Sequence, residues 1–426
     1  MHSKTNSNRS SSFRSGGSSS SARSRHTPFT STSRGSFGNS RGGPRGGGRR
    51  VSRGQYIDPN KFINKVIVTE EVAHFVPEHN FADFLIDERL KKNIIAKGYV
   101  TPTPIQDRTI PLILKGQDVV GIANTGTGKT AAFLIPLLNK VLINNGEQIL
   151  IVVPTRELAI QIDEELHGFS RGLSIFSVIA VGGVPIGKQM RDLRRQHHFI
   201  IGTPGRIKDL IERRCINLAP FKSVVLDEAD RMLDMGFVND MRTVMKLLNK
   251  ERHTLFFSAT TAPEVEKLIG EFLKEPVRVS VKTGDTATGI EQDVVRIKAG
   301  EEKLDVLHEL LNQKDFKKVL IFGRTKHGVE RLSKMLVDKG FKSESIHGNK
   351  NQSQRQRSLA AFKADHAQIL VATDVAARGL DIADISHVIN YDLPETYQDY
   401  VHRVGRTGRG NKKGKALTFI EERPKH

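Results

Sequence analysis

The chain has 426 residues, a formal net charge of +19, 37% hydrophobic residues and one cysteine. That length admits two or three domains, and the charge points to a polyanionic partner. A lone Cys215 excludes an intramolecular disulfide and any cysteine-clustered zinc or iron–sulfur site. There is no signal-peptide pattern and no apolar run near the ~20 residues that span a bilayer, so a reducing cytoplasm without membrane attachment is expected.

Residues 1–54 hold eleven of the positive charges and no Asp or Glu. This stretch is Ser-rich, then Gly/Arg-rich, and has too little apolar surface to fold, which predicts a disordered basic tail over 1–56. Phe13, Phe29 and Phe37 are spaced among its arginines, a pattern suited to stacking on unpaired bases with guanidinium contacts to phosphate. A solubilising tail is the plain alternative. Residues 57–80 read as a connector with one small element. From Asp83 to Gly98 the spacing is helical, and Phe84, Leu85, Leu90, Ile94 and Ile95 are expected on one buried face.

The chain is organised around Ala123-Asn124-Thr125-Gly126-Thr127-Gly128-Lys129-Thr130, which follows an apolar run and precedes a helical one. Strand, loop, helix is the setting of a phosphate-binding P-loop. Its glycines let successive N–H groups turn toward an anion, and the helix N-terminus adds partial positive charge. Lys129 would reach the β- and γ-phosphates, and the Thr130 hydroxyl would hold Mg²⁺. Ala123 stands where the strict pattern has its first glycine.

Apolar runs at 119–122, 148–154, 173–183, 199–203, 223–226, 254–258 and 277–281 alternate with helical stretches. Such continuous runs predict parallel strands buried on both faces of an open α/β sheet. Met232, Met235, Met241 and Met245 are expected as core filling, Cys215 as a small buried hydrophobe and His197-His198 as a solvated pair. The polar, Gly-flanked stretch at 284–290 reads as a linker. Beyond it the alternation restarts at 292–298, 318–323, 343–347, 368–372, 387–390 and 415–420. Two α/β domains are therefore expected, at 81–283 and 291–426, and only the first carries a P-loop.

Val224-Val-Leu-Asp227-Glu228-Ala-Asp230 is a strand running into carboxylates. In a doubly wound sheet this end faces the ligand. Asp227 suits a magnesium role through water, and Glu228 can orient and deprotonate an attacking water. Pro154-Thr155-Arg156, Gly182-Gly183, Thr203-Pro204-Gly205-Arg206 and Ser258-Ala-Thr260 place hydroxyls, arginines and bare backbone on the same rim, which suits sugars and phosphates and not base edges. In the second domain Arg403, Arg406 and Arg409 could converge on the γ-phosphate and stabilise transition-state charge.

Together, the P-loop, Asp227–Asp230, Ser258–Thr260, Ala372–Asp381 and His402–Gly410 resemble, in order and spacing, the motif series of the DEAD-box RNA helicases. Gly98–Gln106, with Phe81 upstream, resembles that family's Q motif, giving a Q-motif region at 79–107. The resemblance implies two RecA-like domains in tandem and an ATP- and Mg²⁺-dependent enzyme that locally unwinds short RNA duplexes or remodels RNA–protein complexes. It implies that Gln106 reads the adenine edge with Phe81 and Tyr99 supporting or stacking on the base, and that Gly379 and Asp381 touch the nucleotide. Arg406 and Arg409 would act as arginine fingers, and Ser258 and Thr260 would couple hydrolysis to RNA release through Asp230. RNA contacts would come from the rim residues at 154–156, 182–183 and 203–206, and from Arg324, Thr325, Gln352, Arg355 and Thr373. The stretch Ile321-Phe-Gly-Arg-Thr325 departs from the family pattern in its Gly and Arg. A monomer binding RNA without sequence preference is expected, with ribosomal particles and degradation machinery as compatible partners. A DNA-translocating motor would share the P-loop, and a non-catalytic RNA clamp would share the tail. The Q-motif residues oppose the first, and intact Lys129, Glu228, Arg406 and Arg409 oppose the second.

Overall fold

A computed structural model of the chain describes residues 62–63, 75–124, 126–281, 290–377, 382, 384–408 and 414–422. The tail expected over 1–56, and all but the last residue of the expected linker, lie outside the described residues. Two sheets form, each with all pairings parallel.

The first sheet holds β1 (Val119–Ile122), β2 (Ile149–Val152), β3 (Ser177–Ala180), β4 (Phe199–Gly202), β5 (Ser223–Leu226), β6 (His253–Ser258) and β7 (Val277–Ser280), in the order β3-β4-β2-β5-β6-β1-β7. The second holds β8 (Ile290–Ile297), β9 (Val319–Phe322), β10 (Ser343–Ile346), β11 (Ile369–Ala372), β12 (His387–Asn390) and β13 (Gly414–Glu421), in the order β10-β11-β9-β12-β13-β8. Every apolar run singled out in the sequence overlaps a strand, with β6, β8 and β13 starting one or two residues earlier than expected. The reason shows in the burial: β1, β2, β4, β5 and β6 are covered at every residue, because helices pack on both faces. The edge strand β3 alternates buried and half-buried positions, and β7 is partly exposed. Two core clusters sandwich the first sheet and two more the second.

Register decides where the site lies. Ile122 pairs with Ser258, Leu226 with Phe256, Val152 with both Leu226 and Gly202, and Ala180 with Gly202. All the carboxyl ends of the first lobe therefore finish nearly level, and the polar segments that follow them share one rim. In the second lobe Phe322 is likewise level with Ala372 and Asn390.

Several expectations need correcting. The first helix spans Glu88–Ala96, with Asp87 accepting from the Arg89 N–H at its cap, so Phe84 and Leu85 precede it. Phe84, Leu90 and Ile94 are buried, but Leu85 is 90% and Ile95 55% exposed. Leu85 lies in the irregular entry to the helix, and Ile95, one residue on from Ile94, is rotated about 100° off the buried stripe. Met232, Met241 and Met245 fill the core, whereas Met235 is half-buried at a groove described below. His198 is buried: its Nδ1 accepts from the Phe176 N–H at 3.1 Å and its Nε2 pairs with Asn145 Oδ1 at 3.0 Å. Burial lowers the pKa of this ring, so it serves as a neutral structural tie. Cys215 is only half-buried, packed against the edge of a core cluster.

Candidate active site and nucleic-acid groove

The loop after β1 turns on glycines. Gly126 (φ 82°) and Gly128 (φ 91°) both occupy the left-handed region, where a side chain is strained. Ala123 is fully buried and does not have a positive φ, so its methyl group is tolerated where the strict pattern has glycine. Gly128 caps the helix Lys129–Ile143, whose first residue sends Nζ back to the Ala123 carbonyl at 2.6 Å. Lys129 is thus held over the cradle it would share with phosphate. Thr127 Oγ1 donates to Asn124 O at 2.8 Å and braces the turn. Thr125 lies outside the described residues.

The Q-motif segment is wired to this loop. Gln106 Oε1 accepts from the Thr103 N–H at 2.9 Å, and Gln106 Nε2 donates to Gly128 O at 3.0 Å. Thr103 Oγ1 donates to Thr127 O at 2.8 Å. A buried amide with two of its positions committed to protein has one donor and one acceptor site left for a base edge. Phe81 is buried edge-on against Phe84 and Tyr99, and Tyr99 donates its hydroxyl to Glu165 at 2.8 Å. These rings form a supporting wall. Asp107, which sequence reading passed over, accepts from the Glu78 and His79 N–H groups at 2.9 and 3.2 Å and so fixes the segment entering the motif.

At the end of β5, Asp227 is buried, its Oδ1 accepting from the Glu228 N–H at 2.9 Å. Burial pushes its carboxyl up to about 7; the Lys129 charge opposes this and the Glu228 charge adds to it. A carboxylate so placed is suited to a cation, which would return it to the charged form. Glu228 sits at φ 52°, ψ 48°, a left-handed conformation that costs a non-glycine residue roughly 1–3 kcal/mol and marks functional turns. Its Oε2 accepts from Arg231 Nη1 at 2.7 Å, with both side chains buried. Arg231 therefore aims the carboxylate, a role no sequence signal announced. Asp230 Oδ2 accepts from the Ala259 N–H at 3.1 Å, and Ser258 Oγ donates to Thr260 O at 3.0 Å. The link between the acidic turn and the 258–260 turn runs through the Ala259 backbone, not through either hydroxyl.

A groove of about 450 Å³ is lined by Pro154, Thr155, Arg156, Gly182, Thr203, Gly205, Arg206 and Arg355, all expected RNA contacts, and by Glu157, Met235, Phe237 and Val375, which were not. Gly183 (φ 73°) leaves room for the Arg156 guanidinium, which a Cβ there would overlap. Burial, with the positive charges of Arg355 and Arg206, lowers the pKa of Arg156, while Glu157 opposes this. Across the groove, Arg355 Nη2 of the second lobe meets Glu157 Oε1 of the first at 2.9 Å, with both side chains largely buried. Gln352, one turn before Arg355, is buried, and neither of its amide atoms has a partner among the described residues. Pro204 opens the helix Pro204–Glu212 behind Thr203. Thr325 caps the helix Lys326–Asp338, Arg324 is exposed beside it with its N–H on Asp392, and Thr373 is half-buried after β11.

Of the three arginines near 402–410, Arg403 is corrected: it is buried, bidentate to Asp374 at 2.6 and 2.7 Å, and donates to Asn390 Oδ1 and Asp392 O. It clamps the helix Tyr397–Val404 to the strand ends and is not free to meet phosphate. Arg406 lies beyond that helix, its Nε donating to His402 O at 3.3 Å. Arg409, Gly379 and Asp381 lie outside the described residues.

Comparison with known proteins agrees with this geometry. Residues 103–268 match the DEAD/DEAH box helicase family, and residues 302–411 the helicase conserved C-terminal domain. The chain is 45% identical over 345 residues to the ATP-dependent RNA helicase CshA of Listeria monocytogenes, covering 80% of this chain and 66% of the relative. It is 42% identical over 342 residues to CshA of Limosilactobacillus reuteri, covering 80% of this chain and 69% of the relative. This chain belongs to the DEAD-box ATP-dependent RNA helicases. The fold of this DEAD-box protein is similar to that of S. cerevisiae Dbp5 bound to RNA and ADP BeF3, with a TM-score of 0.72 and 31% identity over 80% of this chain and 90% of that one. Among the described residues, no helix is long and apolar enough to cross a membrane.

Proposed function

We propose that this helicase hydrolyses ATP at the P-loop only when RNA occupies the groove between its lobes, and uses the closed state to melt short duplexes or displace bound protein. The observation that carries the reading is the convergence of Arg156 and Arg206 from one lobe with Arg355 from the other on a single groove. Guanidiniums and backbone on a shared rim recognise phosphates and sugars, so binding is independent of sequence and prefers ribose. Gln106 selects adenine through its uncommitted donor and acceptor positions, with Phe81 and Tyr99 behind it. The loop 123–128 wraps the phosphates. Lys129 exchanges its bond to Ala123 O for a phosphate oxygen. Mg²⁺ would be held by Thr130 and by Asp227 through water, and would neutralise phosphate charge. Glu228, aimed by Arg231, accepts the proton of the attacking water. Arg406 and Arg409 supply charge from the second lobe, where Gly379 and Asp381 complete the nucleotide contacts. Asp230, through Ala259, ties the acidic turn to Ser258 and Thr260, so a change at phosphate reaches the groove.

The working domains are 81–283 and 291–426, the tail 1–56 adds RNA affinity, and the protein acts as a cytoplasmic monomer. ATPase rates measured with RNA, with DNA and with neither test the reading: only RNA is expected to stimulate. Glu228→Gln should bind ATP and RNA yet turn over at a small fraction of the wild-type rate. Equal stimulation by DNA, or turnover by Glu228→Gln within a few-fold of wild type, would overturn it.

A further inference from the structure

One residue of the N-terminal arm is seated in the second lobe. Phe62 is 1% exposed, while its neighbour Ile63 is 37% exposed, so of these two described residues Phe62 is the one that enters the lobe. Its ring lies 4.7 Å from that of Tyr400, tilted by 54°. It joins the core cluster that contains Ile290 of β8, Val388 of β12, Ala416 of β13, and Val404. The receiving surface is itself well ordered by bonding: Tyr400 donates its hydroxyl to Gln292 Oε1 at 2.7 Å, and Tyr397 stacks on Tyr400 at 5.8 Å. Tyr400 belongs to the helix Tyr397–Val404, which leads directly into Arg406. Further along, the same arm is tied to the first lobe, where the Glu78 and His79 N–H groups donate to Asp107.

We propose that Phe62 is a docking anchor, a phenylalanine of this chain's own N-terminal arm seated in an apolar socket beside Tyr400. The chemistry is that of a short linear motif, in which one aromatic side chain supplies the apolar burial. Because Phe62 and Glu78 lie on one chain, fully extended residues between them span at most about 55 Å, so the arm also limits how far the lobes separate.

The test uses full-length protein without nucleotide or RNA, so its outcome is separate from the helicase reading. A fluorescein-labelled peptide of residues 55–67 is titrated with wild type and with Phe62→Ala, and binding is read by anisotropy. In the variant the socket is vacant; in wild type it is filled by a tethered competitor at an effective concentration near millimolar. The peptide should therefore bind Phe62→Ala at least about tenfold more tightly than wild type. The same peptide carrying the Phe62→Ala change should bind neither. Amide exchange over 397–404 should be faster in the variant and return toward the wild-type rate on adding peptide. Phe62→Leu, which keeps most of the volume, should fall between the two. Equal peptide affinity for wild type and variant, binding to neither, or binding that survives loss of the phenylalanine would each overturn the anchor.

Discussion

Gly128 offers the most direct test of how the Q motif and the P-loop are joined. It sits at φ 91°, and a Cβ there would fall on the Gln106 side-chain amide, 3.1 Å from its Cδ and 3.2 Å from Thr103 Oγ1. Gly128→Ala therefore meets two penalties. Left-handed backbone is disfavoured by roughly 1–2 kcal/mol for an L-residue. Displacing Gln106 breaks its hydrogen bond to Gly128 O, worth about 0.5–1.5 kcal/mol. The loop can relax away from this conformation when nucleotide is absent, so the penalty falls on the binding-competent state and appears in ATP affinity. A combined 2–3 kcal/mol corresponds to roughly 30- to 150-fold weaker binding. Isothermal titration with a non-hydrolysable ATP analogue measures it. The double variant Gln106→Ala/Gly128→Ala separates the terms, because without the Gln106 side chain only the backbone strain remains, and the two single effects should not add. Binding by Gly128→Ala within about threefold of wild type, or strict additivity in the double variant, would refute the latch.

Three further outcomes are expected. In a double-mutant cycle of Glu157→Gln and Arg355→Gln, read as RNA affinity in the presence of the ATP analogue, the coupling should exceed about 1.5 kcal/mol; single effects that add to within about 0.5 kcal/mol would show that the pair across the groove contributes nothing. His387, buried and stacked on Phe316 at 3.8 Å, is held neutral, its pKa drawn down by burial to about 4 from 6.5. Between those values the unfolded chain takes up a proton that the folded chain does not, so stability should fall by up to about 3 kcal/mol as pH drops from 6.5 to 4 and be flat above 7. Thermal unfolding of His387→Phe should lose that slope, and an unchanged slope would exonerate the residue. Deleting residues 1–54, with their eleven positive charges, should weaken RNA binding and flatten its salt dependence. Each lost phosphate contact removes about 0.7 from the slope of log K against log salt, so four contacts remove about 3, with kcat at saturating RNA nearly unchanged. Identical slopes with and without the segment would identify a solubilising tail.

The strands and the P-loop were legible because each is a local pattern: a continuous apolar run, or glycines at fixed offsets before a lysine. What stayed hidden depends on partners distant in sequence. Nothing near Arg231 shows that its guanidinium turns back onto Glu228, and nothing near Asp107 shows that two upstream N–H groups will find it. Glu157 reads as an ordinary first-turn acid until Arg355 arrives from the other lobe. The three arginines of 402–410 look equivalent in spacing. Only the fold shows that Arg403, inside the helix and facing Asp374, is a clamp. Leu85 and Ile95 were misplaced for a related reason: a helical period gives the face only once the first residue of the helix is known.

Strand order also dictates the sequence in which this protein can be completed as it is made. β1, with its P-loop, lies between β6 and β7, so it has no neighbour in the sheet until residues 253–258 have emerged and is not enclosed until 277–280 follow. At about 5–20 residues per second, the strand waits on the order of ten seconds or more with its hydrogen-bonding edges unpaired. The second lobe repeats the delay: among the described residues β8, its first strand, pairs only with β13, its last. A ribosome stalled anywhere between 298 and 413 therefore holds an unmatched eight-residue edge, a template for association with other nascent chains. Phe62 is synthesised before either sheet, and its seat on Tyr400 comes into being only once residues 397–404 have emerged. The strand order therefore makes 123–253 and 298–413 the stretches over which the growing chain carries unpaired strand edges.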